Sequence, residues 1–550
     1  MSLQTAAVII TAAAAAAAGV FYSVMSSRKN RERIASEFGV TPDKEPDFES
    51  IEESWRTLKS FEDTGESTDD ATWDDLDMDS VFSGICSCQT STGEEYLYRI
   101  LHMPKFSRED FASRELLIDM LDADPALRED LQVLMSSAGK KSFSRLTEYC
   151  FTAEDERINP RYLYTVLGYL PVLLAALLPF IPVYVFLPLI FSCALNSLLY
   201  LVINGRLQQK MYSMHYFSSL LHSAGKILKR LESTDNAVVS GLSDSYKVFR
   251  KIGGKLSAAM KEKLSELEVI MNYFRIMMLT DIRSFNSAAE CISKNRELFR
   301  QFLDSYGELD ASVSVLSFRK SLPYHCYPEF ADRAQFSFER MYHPLIENAA
   351  VSSIVLEKNF LISGSNASGK STFIKMLGVN ILLAQTINTC TAQSFQLKPA
   401  LVITSMAVRD SLLRGESYFI TEIKSLKRIL DKIPQVYCVC LIDEILRGTN
   451  TTERIAASYS VLMHINGLDC LCGAATHDIE LTKMLSGVYD NFHFSEEITD
   501  NEITFDYRIR QGPARTRNAV KLLEVMGFSP DIISEARRVI SETEPAAENS

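Results

Sequence analysis

The chain has no excess of positive charge. Its 550 residues carry 57 Lys and Arg against 70 Asp and Glu, which leaves a net charge of −13. An acidic chain of this kind lacks the overall basic character of many nucleic-acid-binding proteins, although a local basic patch stays compatible with it. The length allows about two to four domains with large apolar cores.

Cysteine is present, but not as a closed disulfide framework. The chain has eleven cysteines, an odd number, and they are scattered. Three pairs have a C-x-C spacing: Cys86/Cys88, Cys438/Cys440 and Cys470/Cys472. No His at a zinc-ligand spacing accompanies them, so the pattern favours small buried side chains over a zinc site. Reduced cysteines fit a cytosolic compartment.

Charge is nearly absent from an N-terminal apolar stretch, Ala6 to Val24, which is rich in Ala and of about membrane-spanning length. A cleaved signal peptide would carry positive side chains before this stretch, yet Met1 to Thr5 has none and Arg28 to Arg33 follows it. This order of charge favours an anchor with its N-terminus outside the cell over a signal peptide.

A second uncharged region contains two apolar stretches, Tyr162 to Leu178 and Val183 to Ile203, separated only by Pro179 to Pro182. The lack of charge favours a membrane hairpin over a pair of helices buried in a soluble domain. Basic residues flank both ends of the pair: Arg157, Arg161, Arg206 and Lys210. The sequence therefore predicts three transmembrane helices in a multi-pass cell-membrane protein whose C-terminal part is in the cytoplasm.

The remaining chain divides by composition. After the anchor (1–27), residues 28–71 are acidic and predict a solvated linker without a function of its own. Residues 72–320 have helical apolar spacing and form a predicted helical domain, interrupted by the hairpin (162–203). Within it, Lys and Arg between Leu207 and Phe302 are interpreted as solvated helix faces in preference to a DNA-facing stripe. From about 321 to 550, short β-rich runs alternate with helices and predict an α/β domain with a largely parallel sheet.

A phosphate-binding loop begins this α/β domain. The run Phe360 to Ile362 predicts a strand, the stretch from Thr372 to Leu383 predicts a helix, and a complete G-x-x-x-x-G-K-[ST] motif lies between them. Its residues, all predicted to bind nucleotide, are Gly364, Ser365, Asn366, Ala367, Ser368, Gly369, Lys370, Ser371 and Thr372. The glycines let backbone N–H groups face phosphate oxygens, and the helix N-terminus adds a positive dipole. We expect Lys370 to reach the β- and γ-phosphates and Ser371 to bind Mg²⁺.

Two further motifs follow in order. The apolar strand Val436 to Ile442 ends in Asp443 and Glu444, which predicts Mg²⁺ binding by Asp443 and orientation and deprotonation of the attacking water by Glu444. A second strand-like run leads to His477, a residue that alone would be structural but in this order is expected to sense the γ-phosphate. Between the loop and these motifs, Gly415 and Ser417 precede a helix. They are consistent either with an anion site or with an ordinary N-cap.

This order of motifs resembles the MutS mismatch-repair ATPase family, and specifically its membrane-anchored relatives. The matching segments span about residues 72 to 540 and are Thr90 to Pro104, Gly307 to Asp310, Tyr342-His343-Pro344, Gly364 to Thr372, Leu383 to Gln385, Gly415 to Ser417, Asp443 to Asn450, Thr476-His477 and Gly512 to Gly527. The resemblance implies an ABC-type ATPase domain behind a helical core, ATP and Mg²⁺ as ligands, and a homodimer. It also implies that Gly415 and Ser417 face the γ-phosphate held by Lys370 of the other subunit.

The sequence also departs from the family. No N-terminal mismatch-reading domain is evident, and the Phe-x-Glu triplet at Phe494 to Glu496 lies inside the α/β domain, where we interpret it as a decoy. Leu446 replaces a family Gly, and Thr452-Glu453 replaces an Asp-Gly pair. Two hypotheses follow: a membrane-anchored MutS-type ATPase with DNA as candidate partner, or a membrane-bound, ATP-switched assembly or signalling module that does not act on DNA.

Overall fold

Apolar residues three and four apart build the first part of the chain as helices. The structure is a computed structural model that describes residues 21–22, 25–62, 64–153, 157–258, 273–333, 335–365, 368–406, 418–446, 449–498, 503–514, 520, 523–524 and 526–543. It contains two compact units. One comprises Met1–Thr64, Ser83–Arg99 and Ala112–Ser321, and the other comprises Gly65–Phe82, Ile100–Phe111 and Leu322–Ser550.

The described helices that precede the first strand are α1 (25–37), α2 (Phe48–Phe61), α3 (Asp70–Asp75), α4 (Met78–Ile85), α5 (Ser91–His102), α6 (Ala112–Ala123), α7 (Pro125–Ser136), α8 (Leu146–Thr152), α9 (Arg161–Leu177), α10 (Pro182–Arg230), α11 (Ala237–Ala258), α12 (273–277), α13 (Thr280–Lys294) and α14 (Arg296–Ser321). A short 3₁₀ helix, Arg108–Phe111, precedes α6. The predicted helical character of this part of the chain is confirmed.

The core of the first unit is aromatic. Phe217 on α10 contacts Phe249, Phe299 and Phe302 with ring centroids 5.7, 5.0 and 5.6 Å away, all in edge-to-face geometry. All four rings are fully buried. Edge-to-face pairs of this kind stabilise a core beyond their area burial. They join α10, α11 and α14.

The two segments that carry the family resemblance in this unit meet in space. The Asp310 carboxylate on α14 is buried and accepts hydrogen bonds from the Gln89 and Thr90 backbone N–H groups and from the Thr90 hydroxyl, at 2.6 to 3.1 Å. It therefore caps the N-terminus of α5 from a different helix. A Cβ on Gly93 would lie 2.3 Å from this carboxylate, which explains the glycine.

The acidic linker is not simply solvated, contrary to the sequence prediction. Helix α2 lies inside it and buries Ile51, Trp55 and Leu58. At the end of the linker and just beyond it, in the second unit, α3 buries Trp73 and packs beside the strand β6 (Leu401–Ser405). There Asp75 accepts hydrogen bonds from the Thr404 hydroxyl (2.6 Å) and the Met406 N–H (3.0 Å). The acidic residues thus belong to short, N-capped helices that pack through their apolar face.

Of the three predicted membrane spans, the described residues contain one, judged by length and composition. It is Pro182–Ile203, the first part of α10, with a mean hydropathy of 2.1 and 11% of the window buried. Helix α9 is apolar but has only 17 residues. The predicted N-terminal anchor lies almost entirely outside the described residues. The expectation of three spanning helices is therefore too high for the part of the chain that the structure describes.

The second unit contains the predicted alternation of strands and helices. Its described elements are β1 (Glu329–Phe330), β2 (Phe336–Met341), β3 (Ser352–Leu356), β4 (Phe360–Ser363), α15 (Lys370–Ile387), β5 (Ser394–Leu397), β6, α16 (Tyr418–Lys432), β7 (Cys438–Asp443), α17 (Thr451–Asn466), β8 (Cys470–Thr476), α18 (Ile479–Met484), β9 (Asp490–Ile498), β10 (Ile503–Gln511) and α19 (Pro530–Thr543). A six-stranded sheet has the order β10-β9-β4-β8-β7-β6, and a four-stranded sheet has the order β1-β5-β2-β3.

The larger sheet positions the motifs. Strands β6, β7, β8, β4 and β9 are mutually parallel, and only β10 is antiparallel. Because the carboxyl ends of parallel strands meet at one edge, Ser363, Asp443 and Thr476 end their strands side by side. Ligands of open α/β sheets bind at this edge. The predicted parallel α/β sheet is confirmed, whereas the smaller sheet was not foreseen.

Candidate nucleotide site

The phosphate-loop motif lies between a fully buried strand and a helix, as expected. Strand β4 ends at Ser363 and α15 begins at Lys370, so the described part of the loop joins them at the sheet edge. Gly364 has φ +151° and Gly369 has φ +107°, both in the region that favours glycine. Asn366 and Ala367 lie outside the described residues. The two glycines thus turn the chain sharply into the helix N-terminus.

Lys370 lies against its own loop. Its Nζ donates hydrogen bonds to the carbonyl oxygens of Gly364 and Ser365, both at 2.8 Å. The Ser368 hydroxyl is buried, and among the described residues it has no hydrogen-bond partner. An ammonium and an unsatisfied hydroxyl enclosed by one loop are groups that a phosphate would satisfy. The loop therefore fits a phosphate by chemistry as well as by sequence.

The acidic pair ends the neighbouring strand β7. Asp443 is buried, and its Oδ1 has no hydrogen-bond partner among the residues that the structure describes. Glu444 leaves the strand at φ +61°, while its N–H still donates to the Ala475 carbonyl at 3.1 Å. Leu446, which replaces a family Gly, has φ +58° and a buried side chain. Left-handed backbone at two bulky residues is sparsely populated, and such strain is concentrated at functional sites.

The residues present fit a magnesium ion. Asp443 offers a free carboxylate oxygen, and Ser371 is exposed in the first turn of α15. Within the described ranges, no group of three or more His, Cys, Asp and Glu could hold a metal by itself. Mg²⁺ is commonly held by one or two protein oxygens together with substrate phosphates and water. Ser371 and Asp443 are therefore the residues that would hold it.

His477 joins the two halves of the site. It follows β8, its Nε2 contacts Glu444 Oε1, and the same nitrogen lies 3.4 Å from Lys370 Nζ. The next residue, Asp478, accepts two hydrogen bonds from Arg454 of α17 at 2.9 and 2.6 Å, which fixes this turn. The structure thus brings together Lys370, Glu444 and His477, although Lys370 and His477 are more than 100 positions apart in the sequence. Their catalytic roles stay predictions.

Not every predicted residue can be placed. Gly415 and Ser417 of the signature loop lie outside the described residues, and α16 begins just after them at Tyr418. The decoy triplet is partly placed: Phe494 is buried on β9 and contacts Phe373 edge-to-face at 6.1 Å. A buried ring of this kind is not available to read a base. The structure therefore agrees with its interpretation as a decoy.

Tyr507 also lies beside the phosphate loop, although no sequence motif predicts it there. This residue lies in the hairpin of β9 and β10, where the register shifts between Phe505 and Ile509, and it has φ +51°. Its ring is 46% exposed and passes so close to the phosphate loop that a Cβ on Gly369 would lie 3.2 Å from Tyr507 Cδ1. Strand periodicity predicts a hairpin here, but only the bulge determines that this ring reaches the loop.

The second unit matches a known protein family. The model of MutS domain V matches residues 360–544, which include β4, the phosphate loop, the acidic pair and His477. Residues 360–544 therefore belong to the MutS family. MutS domain V is a P-loop ATPase-type domain, in agreement with the fold described above.

Curated relatives agree with this assignment. The chain is similar to the DNA mismatch repair protein MutS of Streptococcus uberis, with 25% identity over 45% of this chain and 32% of the relative. The MutS of Aquifex pyrophilus is 29% identical over 40% of this chain and 26% of the relative. The DNA mismatch repair protein msh3 of Aspergillus fumigatus is 27% identical over 46% of this chain and 24% of the relative. The matched region thus spans about a third or less of each MutS-family relative.

Proposed function

We propose that this MutS-family protein is a membrane-anchored, Mg²⁺-dependent ATPase. The observation that carries the proposal is the convergence of Lys370, Glu444 and His477 beside the unsatisfied Asp443 carboxylate. A cation, a base and a metal ligand at the edge of a parallel sheet are the parts that phosphoryl transfer to water requires.

The mechanism assigns one role to each side chain. The Lys370 ammonium leaves the Gly364 and Ser365 carbonyls and balances charge on the β- and γ-phosphates. Glu444 orients the attacking water and takes its proton as the oxygen bonds to the γ-phosphorus and the bond to ADP breaks. His477 holds the Glu444 carboxylate and contacts the γ-phosphate side. When bound at Ser371 and Asp443, Mg²⁺ supplies further charge neutralisation.

The nucleobase end of ATP is assigned to the β9–β10 hairpin. The half-exposed ring of Tyr507 lies beside Gly369, at the mouth of the phosphate loop. An aromatic face at this place suits stacking on a purine. The left-handed backbone of Tyr507 supports a functional role, because a bulky residue adopts that conformation at a cost of about 1–3 kcal/mol.

Two chains would complete two such sites. Following the family resemblance, Gly415 and Ser417 of one subunit face the γ-phosphate held by Lys370 of the other. The relatives named above are DNA mismatch repair proteins, so DNA is the inherited candidate partner. The alternative is an ATP-switched membrane assembly or signalling module, which the acidic charge favours.

Membrane anchoring rests on exposed apolar surface. Most large apolar side chains of the hairpin formed by α9 and the first part of α10 face outward, for example Val166 (64% exposed), Phe180 (81%) and Val183 (81%). Isolated apolar residues on a surface are ordinary, but two contiguous helices with exposed apolar side chains need a partner that covers them from water. We assign that cover to a cell membrane, with the ATPase domain in the cytoplasm.

Steady-state ATP turnover by the full chain in detergent or nanodiscs tests the ATPase proposal. Lys370→Ala and Glu444→Gln should each abolish most of the turnover. The matched controls Lys483→Ala and Glu357→Gln change exposed residues of the same unit and should retain it. Equal rates for a site variant and its control would refute the assignment.

Two further measurements test the partner and the location. Titration with homoduplex, mismatched and branched DNA over a salt series should give an affinity that falls with salt if phosphates are bound. Absence of binding at low salt would exclude DNA as the partner and leave the alternative of an ATP-switched assembly or signalling module. Membrane fractionation with protease protection should place both ends of the hairpin on the cytoplasmic side. Release of the chain by carbonate would contradict the anchoring.

A further inference from the structure

The hairpin also packs against a segment of the chain outside it, near Met277. Asn196, in the apolar first part of α10, is fully buried, and its Nδ2 donates to two backbone carbonyls. One is Leu167 of α9 at 2.8 Å, and the other is Met277 at the end of α12, at 2.7 Å. An amide donor buried in an apolar span is expensive unless it is hydrogen-bonded, so the Met277 carbonyl helps to satisfy Asn196 Nδ2. Asn196 Oδ1 has no hydrogen-bond partner among the described residues.

The backbone around Met277 also approaches α9 closely. A Cβ on Gly168 would lie 2.3 Å from the Met278 carbonyl oxygen, so glycine is what admits this contact. The Arg283 guanidinium lies 3.8 Å from the ring centroid of Tyr169. Small residues that let backbones approach, with polar groups that join them, are typical of helix packing in membranes. The segment 273–279, which we name the wedge, therefore packs against both helices of the hairpin.

Helix geometry gives the depth of this contact. Asn196 lies seven residues before Ile203, which corresponds to about 10 Å along the helix, and Leu167 lies six residues after Arg161, or about 9 Å. Nearer the end of the span, the Tyr200 hydroxyl donates to Asp281 at 3.2 Å, and Asp281 also pairs with Arg275. The ion pair is thus nearer the cytoplasmic boundary than the Asn196–Met277 contact is.

The composition of the wedge suits such a depth. It reads Tyr-Phe-Arg-Ile-Met-Met-Leu, and its single charge, Arg275, has a partner. Tyr273 is 60% exposed and Phe274 is 50% exposed, although both are large aromatic side chains. Aromatic rings are enriched where a protein meets the headgroup region of a bilayer, and interfacial helices enter it by about 5–10 Å.

We infer that the wedge is a membrane element beside the hairpin, which enters the cytoplasmic leaflet without crossing it and presents Tyr273 and Phe274 to phospholipid. The inference rests on the proposed membrane hairpin, because the hairpin sets the depth of Met277. The wedge contains no apolar run of membrane-spanning length, so hydropathy alone does not predict this membrane contact. The inference also makes the short helix α12 and the start of α13 an attachment of the helical unit to the bilayer.

Fluorescence quenching by brominated phosphatidylcholine tests the wedge in the full chain reconstituted in nanodiscs. The two native tryptophans, Trp55 and Trp73, are buried and form a common background. Phe274→Trp reports on the wedge and Phe191→Trp on the middle of the hairpin. The matched control Leu116→Trp adds an exposed ring on α6. Helix α6 is adjacent to α7, and α7 contacts α10 at Ser223. Ser223 lies twenty residues, or about 30 Å along the helix, past Ile203, which is the end of the apolar span.

The depth of bromine separates the outcomes. The added fluorescence of Phe274→Trp should be lost mainly with bromine near the headgroups (6,7-dibromo chains), and that of Phe191→Trp mainly with bromine deeper in the chains (11,12-dibromo). Leu116→Trp should keep its fluorescence in both lipids. Quenching of Phe191→Trp without quenching of Phe274→Trp would overturn the wedge and leave the hairpin standing. Absence of quenching in both would overturn the hairpin and the wedge with it.

Discussion

Replacing Gly369 with alanine should weaken ATP binding or destabilise the fold by a calculable amount. Gly369 has φ +107°, and an added Cβ would lie 3.2 Å from Tyr507 Cδ1, tighter than an ordinary van der Waals contact. An L residue in a sparsely populated backbone region costs of order 1–3 kcal/mol. The contact with the Tyr507 ring adds to this cost unless the half-exposed ring moves.

The loop has two ways to respond. If it leaves the phosphate-binding conformation, ATP must restore it, and a cost of about 1–3 kcal/mol raises the dissociation constant about 5- to 150-fold. If the loop stays in place, the free energy of unfolding falls by the same amount instead. Because the same cost appears either in ATP binding or in folding, the sum of the losses in binding and unfolding free energy should be about 1–3 kcal/mol.

Two equilibrium assays measure this sum. Titration with a non-hydrolysable ATP analogue gives the dissociation constant, and urea denaturation without nucleotide gives the unfolding free energy. Gly487→Ala is the matched control, because its added Cβ would have no atom within 4 Å and its φ is not in the left-handed region. Values for Gly369→Ala that match the control in both assays would refute the strain argument.

Three further predictions concern other parts of the molecule. Tyr507→Ala should raise the KM for ATP about 2- to 12-fold through lost stacking, with kcat little changed, whereas Tyr507→Phe should match the parent. Gly93→Ala should lower the unfolding free energy by more than about 2 kcal/mol in urea denaturation, because it displaces the buried Asp310 cap; Gly254→Ala, with open space around its Cβ, should not. Burial lowers the pKa of His343 to about 4 from its ordinary 6.5, so the unfolded state binds more protons between these values. Stability should therefore fall by at most about 3 kcal/mol as pH drops from 6.5 to 4, and a His343→Asn variant should lose that part of the slope.

Most of the candidate nucleotide site could be predicted from local sequence. The phosphate loop needs its glycines, lysine and hydroxyl within nine residues, and the flanking strand and helix are local as well. The acidic pair is recognisable because it ends a continuous apolar run. Each motif is thus specified by near neighbours in the chain, and the parallel sheet then makes their meeting at one edge predictable.

Other parts of the site depend on contacts that no local pattern encodes. Tyr507 reaches the phosphate loop because a bulge in β10 shifts its register. The acidic linker, residues 28–71, was expected to be solvated, but α2 within it buries Ile51, Trp55 and Leu58. Just after the linker, Asp75 contacts Thr404 and Met406, which are more than 300 positions away. Composition reports the polarity of such a segment and not the partner that satisfies it.

The sequence by itself determined the motifs of this protein: the phosphate loop, the acidic pair, the position of His477, the resemblance to the MutS family and the apolar hairpin. These follow from residue types at fixed short spacings, where the backbone alone decides which groups lie together. Only the tertiary structure decided that Asp310 caps α5, that Lys370 and His477 are neighbours, and that Asn196 holds the wedge. Each of those contacts joins residues from 80 to more than 200 positions apart, where the folding of whole elements decides which groups meet.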